Sequence, residues 1–259
     1  MAKRMQAKQD RKARIEAMRA QQRARERRRR MAWFGGGGVV IAAIVAVAVV
    51  AALSKSGGSV TTSQEVIPPA VTGTTTLAPA LTVANTTGIT GVVAYDTNGY
   101  PGHTGPANRA LGHTHVTGPV QYSVTPPVGG DHNAEWMNCG VYDKPVPSER
   151  AVHNLEHGAV WITYQPSLPQ SEVSQLRAFF GRQTVLNPSG QGGSRYVDLT
   201  PYPGLPAPIV VSSWGFQLRL TSPADPRLQQ FVNKFRVSQH YTPEYGAPCT
   251  GGLGTPLQQ

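Results

Sequence analysis

Ala151-Val152-His153-Asn154-Leu155-Glu156-His157-Gly158-Ala159-Val160-Trp161-Ile162-Thr163-Tyr164 contains the change of period on which the fold turns. Pro147-Ser148-Glu149 just before it can open a helical turn, with Ser148 as the cap. Gly158 is a helix stop, because a residue without Cβ adopts positive φ without strain. The six residues after it are β-branched, aromatic or small and form a strand. Downstream the same reading continues. Residues 171–182 carry Val173, Leu176, Phe179 and Phe180 at helical spacing. Strands are expected at 195–199, 208–213 and 215–220. Residues 225–235 form a helix with Leu228, Phe231, Val232 and Phe235 inward, Asp225 as N-cap and Pro226 at the first helical position. The order strand, helix, three strands, helix implies an α+β domain: a small mixed sheet with helices mainly on one side.

Upstream the chain divides by composition. Residues 1–31 hold 13 Lys/Arg and 3 Asp/Glu, a balance of +10, while the rest of the chain holds 11 of each. Residues 31–53 carry no charge, and 23 residues at about 1.5 Å each reach across a hydrocarbon core of roughly 30 Å. Trp33 and Phe34 sit at one edge of this run, and Lys55 follows its other end. The cation asymmetry then puts the N-terminus in the cytoplasm. The expected layout is a basic cytoplasmic tail (1–31), a transmembrane helix (32–53), a Ser/Thr/Gly/Pro-rich linker (54–90) and one extracytoplasmic globular domain (91–259). The tail is expected to meet anionic lipid headgroups. The neutral outer domain gives no reason to expect nucleic acid.

The two cysteines, Cys139 and Cys249, lie past the apolar run. In an oxidising compartment an isolated pair most simply forms one disulfide. The alternative is a free Cys139 thiolate that ligates a metal. At a separation of 110 residues they are not a C-x-x-C redox pair.

Six of the seven histidines, His103, His113, His115, His132, His153 and His157, fall within 55 residues, and imidazole is the commonest protein ligand for first-row metals. In an extended segment His113 and His115 point to one face and can share an ion. On a helical turn His153 and His157 do the same. Glu156 between them completes H-x-x-E-H, a zinc-peptidase pattern in which the carboxylate is the base. Gly158 and the strand behind it leave little helix to hold such a site. Soft donors, Met137 or a reduced Cys139, would select copper, whereas His with Glu156 suits zinc equally. The candidate metal ligands are therefore His132, His153 and His157, with His113, His115 and Glu156 in reserve. Trp136, Tyr142, Trp161 and Trp214 read as core, with a ligand platform as the rival. No phosphate loop, dinucleotide fingerprint or nucleophile elbow occurs in the chain.

The segments Thr125-Pro126-Pro127-Val128-Gly129-Gly130-Asp131-His132, Trp136-Met137-Asn138-Cys139-Gly140-Val141-Tyr142 and residues 151–160, with the closing Ala247-Pro248-Cys249-Thr250, resemble the domain-of-unknown-function (DUF) 3105 family. That family occurs mainly in actinobacteria and related bacteria, and its members commonly carry a basic tail and a single span. The resemblance implies location and architecture and carries over no catalytic residue. It implies that His132, Cys139, His153, Glu156, His157 and Cys249 belong to the family pattern. The function expected is metal binding, of copper or zinc, by a membrane-anchored envelope protein. The rivals are a non-enzymatic accessory module with an envelope protein partner, and a metal-dependent hydrolase using Glu156 as base.

Overall fold

The computed structural model describes residues 62–63, 66, 73–97, 111–188, 190 and 192–259. The basic tail, the apolar run and His103 lie outside the described residues, and so does the expected span. Among the described residues no helix is long and apolar enough to cross a membrane.

Among the described residues the architecture is α+β, with a mixed sheet and three helices. Six strands form the sheet: β2 (Thr82–Val83), β3 (Val92–Tyr95), β7 (Val160–Tyr164), β8 (Val197–Pro201), β9 (Ile209–Ser213) and β10 (Phe216–Leu220). Their order is β2-β3-β10-β9-β7-β8. Every neighbouring pair is antiparallel except β7 and β8. Parallel neighbours need a crossover, and α2 (Gln170–Gly181) supplies it. β9 and β10 are joined by Trp214-Gly215. Gly215 takes φ +79°, and a Cβ there would press on Thr97.

The sheet has two unlike faces. Val160, Ile162, Val197, Leu199, Ile209, Val211, Leu218 and Leu220 form one core with α2 and α3 (Pro226–Phe235). On the other face lie Trp161, Thr163, Asp198, Thr200, Ser212 and Gln217, all of them buried. That face lies toward α1 (Ser148–Glu156), whose Ala151, Val152 and Leu155 cluster with Trp161, Trp214, Tyr142 and Met137. Two helices thus cover the apolar face, and the third closes the polar one.

Two expectations need correction. The chain enters the fold before residue 91. β1 (Thr75–Thr76) pairs with β5 (Val120–Gln121), and β2 extends the main sheet beside β3. These strands are two residues long and Thr-rich, so their partners define them more than any period of their own does. Ser148 is not the cap of α1. Pro147 holds that place without a side-chain bond, and Ser148 Oγ meets the Tyr202 hydroxyl at 3.3 Å. Asp225, by contrast, accepts from the Arg227 backbone N–H as a cap should.

Candidate metal centre

Three pieces of chain build the site. β4 (His115–Val116) and β6 (His132–Asn133) pair in parallel with His115 opposite His132. Opposed residues project to the same face, so the two rings meet with centroids 5.0 Å apart. α1 packs against β6 and brings His153, Glu156 and His157. Their spacing of three and four residues stacks them on one side of the last turn. Gly158 then leaves the helix at φ +97°. A Cβ there would meet Thr242 and the Val237 backbone, so the sharp exit is specific to glycine.

One donor atom each from His115, His132, His153 and Glu156 lies within 4.8 Å of the others. Three of these residues are buried, and His115 stands at the rim. The nearest pair is His132 Nε2 and Glu156 Oε2 at 2.9 Å. His115 Nε2 is 3.9 Å from the same oxygen, an ion-pair distance too long for a hydrogen bond. His153 Nε2 lies 2.9 Å from His157 Nε2.

The opposite ring nitrogens fix the tautomers. His132 Nδ1 is 2.8 Å from the Gly130 carbonyl, His153 Nδ1 is 2.6 Å from that of Asn133, and His157 Nδ1 is 2.8 Å from that of Pro248. A carbonyl only accepts, so each Nδ1 carries the hydrogen. A neutral imidazole has one N–H, so each Nε2 then presents a lone pair. The His153 and His157 lone pairs point at one another, a repulsive contact unless a cation lies between them. His132 Nε2 faces the Glu156 carboxylate, a contact that a proton or a metal ion makes favourable. With a metal ion these donors form a ligand set whose tautomers are fixed by backbone carbonyls, as ligating histidines require.

The electrostatics agree. Burial, with His157 and His132 beside it, holds His153 well below the usual imidazole range. Burial pushes His157 down to about 4 against its bond to Pro248. Both rings are therefore neutral at pH 7, with Nε2 free to donate. Burial works to raise the Glu156 carboxyl, but its contacts with His115 and His132 win and hold it well below the usual carboxylate range. The contact with Glu156 raises His115 against the effect of burial.

A family model described as a protein of unknown function (DUF3105) matches residues 113–251, just over half the chain. The chain belongs to the DUF3105 family. No curated protein and no solved structure matches it.

In this DUF3105 domain five of the six expected metal ligands come together: His115, His132, His153, Glu156 and His157. His113 does not. It is exposed and precedes β4, so the alternation that would align it with His115 has not begun. Glu156 lies among the donors, which fits a ligand better than a base. Cys139 is no thiolate, because it forms a disulfide with Cys249 across a Cα separation of 5.4 Å. Met137 is buried in the core cluster with Trp161 and Trp214. Trp136 flanks the site, 5.7 Å from the His153 ring and 5.2 Å from that of His157, and Trp214 meets the His132 ring edge-on at 5.9 Å. Sequence reasoning missed Glu244, whose Oε2 lies 3.6 Å from His157 Nε2. It stands in a Pro/Gly-rich stretch with no period to mark it. The carbonyls of Gly130, Asn133 and Pro248 have no side-chain signature at all.

Behind α1 the DUF3105 domain buries an acid beside its disulfide. Asn154 Nδ2 donates to Asp198 Oδ2 at 2.8 Å and lies 3.4 Å from Cys139 Sγ. Burial pushes the Asp198 carboxyl up to about 7, against bonds from Asn154 and the Gly140 N–H that lower it. A folded pKa above the unfolded one means a contribution to stability that is complete below about pH 4 and lost as pH rises through 7. The Asp198→Asn variant should therefore gain on the wild type by up to about 1.4 kcal/mol per pH unit across that window. Urea unfolding at pH 4, 5.5 and 7 measures the difference. A gap that stays constant would rule out this ionisation.

Proposed function

We propose that this protein binds a divalent transition metal, zinc or Cu(II), through His115, His132, His153 and Glu156. One observation carries the reading: the buried His132 and His153 each give Nδ1–H to a backbone carbonyl, and their remaining ring nitrogens lie in a space shared with His115 and the Glu156 carboxylate. Three nitrogens and one oxygen are borderline donors. They suit zinc and Cu(II) and do not select Cu(I), which takes thiolate or thioether. The test is metal content. The full chain, purified and desalted, should retain close to one equivalent of zinc or copper. A folded chain that retains none, and takes up neither ion when titrated, would sink the reading.

The setting we propose is the outer side of a cell membrane. The uncharged run at residues 32–53 is the anchor, and the basic tail rests on anionic lipid headgroups. Protease added to intact cells should then digest the domain and spare the tail. The reverse pattern would invert the topology. A domain held in this way is placed to present its metal to an envelope protein partner.

A further inference from the structure

His157 does not fit the four-donor group, yet it is fixed as carefully as the others. Its Nδ1 is bonded to the Pro248 carbonyl, and its Nε2 lies 2.9 Å from His153 Nε2 and 3.6 Å from Glu244 Oε2. Its side chain is 3% exposed, so water does not satisfy that lone pair from the surface. Glu244, at 35% exposure, faces it from the solvent side.

Grouped by separation, the donors form two similar sets. His132 Nε2 and His115 Nε2 lie 2.9 and 3.9 Å from Glu156 Oε2. His153 and His157 lie 2.9 Å apart, with Glu244 3.6 Å from His157. Each set is two imidazoles and one carboxylate. With metal–ligand bonds of about 2.0–2.2 Å, donors that share an ion stand roughly 3–3.5 Å apart, near the separations found in both sets. The sets adjoin, because the rings of His115, His132 and His153 have centroids within 5.2 Å. The Glu244 N–H donates to the Glu156 carbonyl at 3.0 Å, which ties the second carboxylate to the helix end that bears the first.

We propose that the centre takes a second divalent transition ion, held by His153, His157 and Glu244 beside the first. The inference rests on the metal-binding reading above. In the two-ion state His153 serves the outer ion, while His115, His132 and Glu156 keep the inner one. Three protein donors per ion leave each with open positions for water or an oxyanion, the arrangement of two-metal sites.

Stoichiometry tests it. The metal-depleted full chain is titrated with Zn²⁺ by calorimetry, and the retained metal is counted after desalting. The expected result is two equivalents, falling to one in Glu244→Gln with the tighter site unchanged. Near-ultraviolet circular dichroism checks that the variant is folded, and its partly exposed position favours this. Cu²⁺ provides a second readout. Two ions this close should broaden or quench each other's paramagnetic resonance in the wild type and not in Glu244→Gln. A single equivalent that His132→Ala removes would overturn the second site and leave the first reading intact. Two equivalents that survive Glu244→Gln would overturn the outer ligand set. No bound zinc at all would overturn both.

Discussion

Replacing His132 and His153 together with alanine is expected to abolish zinc retention by the full chain, and either change alone to weaken binding more than ~100-fold. The expectation exceeds the 10–100-fold typical of losing an outer hydrogen-bond partner, because here the donor atom itself is lost. His132 is fully buried between the Gly130 carbonyl and the Glu156 carboxylate, so no neighbour can replace its Nε2. His153 touches both donor sets, and its removal should harm either occupancy state. His113→Ala is the matched control, an exposed imidazole two residues from His115 that should leave binding unchanged. Competition with a zinc-sensitive chelator reads the affinities, and circular dichroism confirms the fold. Stoichiometric zinc in a folded His132→Ala/His153→Ala chain would remove the case for this centre.

The main sheet and its helices could be read from sequence because their signals are local. Val173, Leu176, Phe179 and Phe180 sit one turn apart and face the core, as does the set from Leu228 to Phe235. Strands β7 to β10 announce themselves by β-branched and aromatic runs bounded by Gly and Pro. The site was half legible. H-x-x-E-H showed that His153, Glu156 and His157 share a helix face, a matter of spacing. Two-residue strands set the choice of His115 over His113, and β4 exists only because β6 lies beside it. Glu244 comes from a segment shaped by its attachments: its N–H to Glu156, and the crosslink at Cys249. No pattern in its own residues marks it. The disulfide was legible from cysteine count, and its pairing decided against a thiolate ligand.

Breaking that crosslink should have the largest effect on stability. The bond closes a separation of 110 residues, worth about 4–5 kcal/mol on the chain-entropy model. Domains of this size are stable by about 5–15 kcal/mol in all, so the loss would take a large share. Cys139→Ala/Cys249→Ala suits the test, since both positions are buried and alanine adds no polar group of its own. Its guanidinium midpoint should fall well below that of the oxidised wild type, and added reductant should shift the wild type but not the variant. Coincident midpoints would show that the crosslink adds nothing to stability. The change should also reach the metal, because Pro248, whose carbonyl orients His157, is the residue next to Cys249. Weaker zinc binding in the double variant, measured where it is still folded, would reveal that coupling.

The two-faced sheet divides how this protein can change. Along β7 and β8, Val160, Ile162, Val197 and Leu199 serve the apolar core, while Trp161, Thr163, Asp198 and Thr200 serve the side that α1 closes. Two environments are thus written on alternate letters of the same strands. Drift at one parity repacks an oily interior against α2 and α3, and drift at the other rewrites the bed beneath α1, the helix that ends in Glu156 and His157. A library randomised at every second position, in either register, would sample one environment at a time.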